Sequence, residues 1–204
     1  MKIDIREKIL KEYDEYLKYE LKEHWNNGPL EGFGQYNVLA HLSTYFNNDI
    51  IIDIGTGHEA VSARSLAYNE TNIVYSYDIE FYEVAHNHIK RLDNVEYNVI
   101  NPLENPKDRE IMLSASFISL DVDPHDGEQE AEFYKFFVEN DWKGVMVCDD
   151  INMGTGEPGR NNIRMAEFWE NVDNPKYSIK EELNKYVHWT GTGIICFDNQ
   201  EIII

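Results

Sequence analysis

The chain has 204 residues, 38 of them acidic against 18 basic, and its formal net charge of −20 is spread along the whole length instead of being gathered in one tail. Charge of that sign argues against nucleic acid or an anionic membrane as a partner. The length suits one sizeable core, and no segment is apolar over the roughly 18 residues that a membrane-spanning helix needs.

The first residues also lack the uninterrupted apolar run of a signal peptide, so a soluble, cytoplasmic protein is expected. Ile5, Ile9, Leu10, Tyr13, Tyr16, Leu17, Leu21 and Trp25 recur at helical spacing, which predicts an amphipathic first helix with a charged outer face. With the glycine-punctuated loop NGPLEGFG at 27–34, it reads as an N-terminal piece, residues 1–34, that packs on or caps the domain and could serve a homo-oligomer as its interface. Residues 35–204 read as a single domain that opens with a helix at 35–46. From there the pattern alternates. Strands are expected at 49–54, 72–78, 95–100, 116–121 and 144–149, and helices near 58–68, 81–92, 105–113, 127–140 and 161–172. Short apolar strands separated by helices imply an α/β architecture, a Rossmann-like, doubly wound and mostly parallel sheet with helices on both faces. The tail differs: 177–183, 185–190 and 193–197 are strand-like with no helix between them, so the sheet should end in an antiparallel C-terminal hairpin. Cys148 and Cys196 each lie in an apolar run and read as buried thiols, not as a disulfide.

Ligands of open parallel sheets gather at the carboxyl ends of the strands. The first of these ends is DIGTGHEA at 53–60, where paired glycines allow a sharp turn and a close approach of ligand to backbone. The second is Asp78, roughly twenty residues beyond Gly57, the spacing at which a carboxylate accepts hydrogen bonds from ribose hydroxyls. GTGHEA also fits the loose dinucleotide fingerprint, which keeps an NAD-dependent oxidoreductase as an alternative. Asp53 speaks against it, because a carboxylate just upstream of the turn is unwelcome beside a pyrophosphate. S-adenosylmethionine carries a sulfonium and an ammonium instead, and an acid suits both.

On DIGTG at 53–57 and YSYD at 75–78 the chain resembles the class I S-adenosylmethionine-dependent methyltransferases, from about residue 35 to its end. The resemblance implies their seven-stranded fold. It also implies a donor site in which Asp53, Gly55 and Gly57 lie near the methionine moiety, Asp78 binds the ribose, Ile79 flanks the adenine and Asn101 faces its edge. Asn101 stands where the family frequently has an acid.

The fourth and fifth strands end in LDVDPHDG at 120–127 and VCDDIN at 147–152, which should be neighbours near the sheet centre. Ionised carboxylates held together and partly out of water are costly unless a cation neutralises them. Hard oxygen donors without cysteine point to Mg2+, with Ca2+ or Mn2+ as alternatives. Here the chain resembles the divalent-metal-dependent O-methyltransferases of the catechol and macrolide-sugar types. That resemblance makes Asp121, Asp149 and Asp150 the metal ligands and His125 the base beside Asp121, for O-methylation of a small acceptor with a hydroxyl or a diol. Pro124 interrupts the Asp-x-Asp-His pattern of the sugar branch, so Asp123 stands as a rival ligand and His125 as a plain loop histidine. Asp126 reads as a helix N-cap. The loop at 152–162 reads as a lid, with Arg160 and Arg164 as anion binders or salt-bridge partners. Trp25, Phe33, Tyr36, Trp169, Tyr186 and Trp189 read as ring-stacking walls or core. A methyltransferase-like fold used only for binding or assembly is the non-enzymatic alternative.

Overall fold

The computed structural model describes residues 1–22, 34–153, 163–179 and 190–203. The first expectation to give way is the single N-terminal helix. Lys2–Asp4 form a strand, β1, followed by the short helix α1 (Glu7–Leu10), a 3-10 turn (Lys11–Tyr13) and α2 (Asp14–Glu20). The reason lies in a change of period: Ile3 and Ile5 alternate with Lys2 and Asp4, and Ile3 and Ile5 are fully buried, the mark of a strand with one covered face. The partner of β1 is the last described strand, β9 (Glu201–Ile203), which runs parallel to it with Ile3 opposite Ile202. The apolar side chains of the helical part, Tyr13, Leu17 and Leu21, pack against Ala40.

The rest follows the predicted alternation. α3 (Gln35–Ser43) leads to β2 (Ile50–Ile54), α4 (Val61–Leu66), β3 (Ile73–Asp78), α5 (Glu83–Ile89) and β4 (Val95–Val99). A 3-10 turn at Pro102–Glu104 and α6 (Pro106–Ser114) precede β5 (Phe117–Leu120), α7 (Glu128–Glu139) and β6 (Val145–Cys148). The chain then forms α8 (Ile163–Glu170), β7 (Lys176–Ser178) and β8 (Gly193–Cys196). The seven strands of the main sheet are ordered β4-β3-β2-β5-β6-β8-β7. All neighbours are parallel except β8, which runs antiparallel to both β6 and β7. The antiparallel ending is therefore borne out, although residues 185–189 of the expected strand at 185–190 lie outside the described residues.

Strand alternation sorts the core into two layers. Ile51, Val74, Phe117, Val145, Val147 and Ile194 face one way and meet Val38, Leu39 and Leu42 of α3 with Ile3, Ile5 and Leu10. Ile52, Tyr77, Ile118, Leu120, Met146 and Ile195 face the other way and meet Met112 of α6, Phe133 and Phe137 of α7 and Phe168 of α8. Polar residues break this pattern at one height only, the carboxyl ends of the central strands. Asp53 pairs in register with Ser76 on one side and Ser119 on the other. Among the described residues, no helix is long and apolar enough to cross a membrane.

Candidate functional site

The turn after β2 is fixed by backbone hydrogen bonds to the next strand. Gly55 N and Thr56 N both donate to the Tyr77 carbonyl, at 2.9 and 3.1 Å, and Gly57 N donates to Asp78 Oδ2 at 2.9 Å. Glycine is required at the first of these positions. Gly55 has φ +91°, and a Cβ there would fall 1.6 Å from the Asp121 carbonyl oxygen, so the turn and the end of β5 are in direct backbone contact. Asp78 uses its other oxygen to accept from Glu80 N at 3.0 Å. Its carboxylate is thus oriented by two backbone donors.

Asp53 sits beneath this turn. It is fully buried; Ser76 Oγ donates to its Oδ2 at 2.7 Å, and Ser76 is in turn linked to Thr56 Oγ1 at 2.7 Å. Burial pushes the Asp53 carboxyl up to about 7, against the lowering effect of the Ser76 and Ser62 hydroxyls. Its Oδ1 is a buried acceptor with no hydrogen-bond partner. An acceptor left in this state beneath a glycine turn fits a ligand that brings positive charge or N–H donors.

A cleft of about 260 Å³ opens above the turn, lined by Gly55, Gly57, Asp78, Ile79 and Asn101 at one end and by Asp121, Asp123 and His125 at the other. Every residue predicted for the donor site except Asp53 lines it. Asn101 is held by its own backbone turn, its side-chain oxygen accepting from Leu103 N at 3.1 Å. Ile79 is largely exposed on the rim.

At the acidic end, Asp121 N donates to the Ile54 carbonyl and Asp149 N to the Leu120 carbonyl, so both acids continue the strand ladder beyond β5 and β6. The Asp123–Pro124 peptide is cis. His125, with φ +54°, donates its backbone N–H to the Val122 carbonyl at 3.0 Å. The ring is turned inward, with 22 % of the side chain exposed: Nδ1 lies 3.6 Å from Asp121 Oδ1 and 3.4 Å from Asp150 Oδ2, while Nε2 lies 3.1 Å from Asp123 Oδ1. Asp121, His125 and Asp150 each present one ligand atom, all within 4.8 Å of one another, a grouping that can hold a metal ion. Burial, then the charges of Asp149, Asp150, Asp53 and Asp123, hold the Asp121 carboxyl well above the usual range, although 31 % of its side chain stays open. That upward push is what clustered carboxylates show before a cation joins them.

Asp149 is the strongest of the charges acting on Asp121. Its oxygens accept from Gln35 Nε2 at 2.5 Å and from Thr192 Oγ1 at 3.0 Å. Asp150 is buried and accepts from the Thr190 hydroxyl. Gln35, Thr190 and Thr192 were not foreseen, since nothing in their spacing marks them; only the fold brings the first residue of α3 and the approach to β8 against β6. Asp126 caps as predicted, Oδ1 accepting from Glu128 N at 2.9 Å. Arg164 is paired with Glu128. Tyr36 lines a small space beside Gln35, Asp121 and Asp149, and Trp169 packs against Gly193. Residues 154–162 of the expected lid, with Arg160, lie outside the described residues, as do Trp25, Phe33, Tyr186 and Trp189.

No family model and no curated protein matches the chain. Solved structures do. The chain is similar to the O-methyltransferase TomG from Streptomyces achromogenes, involved in tomaymycin synthesis and solved with S-adenosylmethionine, at 16 % identity, 94 % of this chain, 90 % of that one and a TM-score of 0.59. It is similar to the methyltransferase PaMTH1 from Podospora anserina, solved with S-adenosylhomocysteine, at 14 % identity, 96 % and 97 % coverage and a TM-score of 0.60. It is also similar to an O-methyltransferase from Bacillus cereus, again with S-adenosylhomocysteine, at 15 % identity, 94 % and 92 % coverage and a TM-score of 0.57. The fold is that of the class I methyltransferases.

Proposed function

We propose that the chain is an S-adenosylmethionine-dependent O-methyltransferase that acts, with a divalent cation, on a small molecule carrying a hydroxyl or a diol. The observation that carries this reading is the meeting, in one cleft, of a glycine turn backed by Asp78 with Asp121 and His125, behind which Asp150 is buried. The likeness to O-methyltransferases solved with the methyl donor or its product supports it.

S-adenosylmethionine supplies an electrophilic methyl group, and a divalent cation supplies Lewis acidity toward an acceptor oxygen. The chain's own residues supply position and proton management. Asp78, fixed by two backbone N–H groups, is placed to accept from ribose hydroxyls. Ile79 and Asn101 bound the adenine end. Gly55 and Gly57 leave room for the methionine part, and Asp53 sets negative charge beneath it. Asp121 and Asp150 are the two carboxylates that hold the cation, with Mg2+ or Mn2+ suited to such hard donors. Asp149, anchored by Gln35 and Thr192, adds its charge from the flank. His125 sets Nε2 against Asp123 and Nδ1 beside Asp121 and Asp150, so its ring borders the place the cation would occupy. In that position it is placed to serve as the base toward an acceptor hydroxyl.

Incubation with methyl-labelled donor and a panel of catechols, vicinal-diol sugars and phenols, with Mg2+ or with a chelator, tests the reading. A methyl ether should form with Mg2+ and not with chelator. Turnover indifferent to chelator would remove the metal from the account. Donor binding without transfer to any acceptor would leave a binding module.

A further inference from the structure

α3 carries a buried titratable group that the cleft does not use. His41 is 5 % exposed. Its Nε2 stands 2.6 Å from the Asp4 carbonyl oxygen, an atom that only accepts, so Nε2 bears the proton and Nδ1 is the bare nitrogen. Tyr13 fills that position, its hydroxyl donating to Nδ1 at 2.8 Å. One neutral ring thereby joins β1 through Asp4, the 3-10 turn through Tyr13, and α3. Tyr45 packs edge-on against the ring, with centroids 5.1 Å apart, and its hydroxyl accepts from Asp4 N at 2.9 Å.

A second proton has only Nδ1 to go to, where Tyr13 already donates. The tyrosine O–H would have to swing its hydrogen off Nδ1, giving up the bond it donates, and the cation would be buried. The groups facing the ring are Asp4, whose carboxylate is bound by Arg6 at 2.9 Å, Glu12 and Tyr13 of the 3-10 turn, and Tyr45. Asp4 and Glu12 favour the imidazolium, but burial outweighs them and holds His41 below its usual value.

We infer that His41 is a pH-sensitive latch: neutral, it fastens the N-terminal segment to α3, and protonated, it loosens that segment. The fastened state disfavours the extra proton, so the hold is complete above about pH 6.5, the ordinary histidine value, and weakens as pH falls below it. The segment covers the roots of the cleft. Tyr13, Leu17 and Leu21 pack on Ala40 of α3 beside Val61 of α4, and Tyr16 donates to the Arg64 carbonyl at 2.8 Å. α3 begins with Gln35, which grips Asp149, and α4 follows the glycine turn. Ile3, Ile5, Leu10 and Leu17 are fully buried, so one proton changes how often the segment opens and does not expel it.

Hydrogen exchange on the full chain at about pH 7.5 and about pH 5.5, on either side of the histidine range and corrected for intrinsic rates, tests the latch, together with an NMR titration of the His41 ring. Protection across residues 1–20 should fall several-fold at the lower pH while β2 keeps its own, and the ring should titrate below 6.5. His41→Gln should abolish the pH dependence. If that variant does not fold, Tyr13→Phe, which removes the tie from the neutral ring to the 3-10 turn, should lower protection at the higher pH and shrink the difference. A ring that titrates at or above 6.5, protection equal at both pH values, or a pH dependence that survives in His41→Gln would overturn the inference.

Discussion

The two ends of the cleft rest on the same foundation, the carboxyl ends of parallel strands, but their charges are answered differently. At the β2–β3 end, backbone N–H groups meet both oxygens of Asp78, and a Thr56–Ser76–Asp53 chain fills the space below. At the β5–β6 end, Asp121, Asp123 and Asp150 share a single imidazole. At the first end fixed dipoles hold Asp78 in place, while Asp53 Oδ1 beneath the turn stays buried without a partner. The second end gathers like charges, and burial with its acidic neighbours holds Asp121 well above the usual carboxylate range. One end of the cleft is thus held by backbone dipoles and the other by an imidazole set among carboxylates.

The largest effect expected from breaking this contrast is at the hinge between the halves. Gly55→Ala would place a methyl inside the Asp121 carbonyl in a left-handed conformation, at a cost of about 3 kcal/mol or more. Gly57→Ala has open space around it and bears only the backbone penalty, about 1–2 kcal/mol. Denaturant midpoints of the two variants should differ accordingly, and equal midpoints would mean that the turn does not abut β5.

Next in size is the cation. Mn2+ at a hundredfold over its dissociation constant should stabilise the chain by about 2.7 kcal/mol in a thermal or chemical melt. Asp121→Asn should lose that gain, and its metal-free form should be no less stable than the parent, since a repelled carboxylate has been removed. A metal-induced shift that persists in Asp121→Asn would place the ion elsewhere.

The β2–β3 end makes a prediction about the slope of stability with pH. Asp53 titrates at about 7 in the fold and at about 3.9 when unfolded. Between those values the folded state binds more protons, so stability should fall as pH rises from about 4 to about 7, by at most about 1.4 kcal/mol per pH unit. Asp53→Asn should flatten that slope in a pH series of urea melts. The smallest effect should come from Asp126→Ala, which loses only the cap on Glu128 N, about 1 kcal/mol, and should leave metal and nucleoside binding alone.

The same contrast decided what was legible in the sequence. Gly55, Gly57 and Asp78 announce their roles because a sharp turn and a strand-end acid demand particular residue types at particular spacings. Asp126 was readable for the same reason. The acidic end was readable only as a concentration of charge. Which of Asp149 and Asp150 faces His125 depends on Gln35, Thr190 and Thr192, each distant in sequence and unremarkable in type. β1 escaped notice because Ile5 fits both a helical stripe and the alternation of a strand, and only pairing with Ile202 settles the matter. The N-terminal aromatic run looked like one helix because helical spacing does not show that the chain breaks at Tyr13 to reach His41.

The central claim is that the glycine-turn half of the cleft is a seat for the methyl donor, and calorimetric titration of the full chain with S-adenosylhomocysteine tests it most directly. Saturable binding of one molecule per chain is expected, strongly weakened by Asp78→Ala and retained in Asp121→Asn. An absence of binding heat at millimolar nucleoside would contradict it.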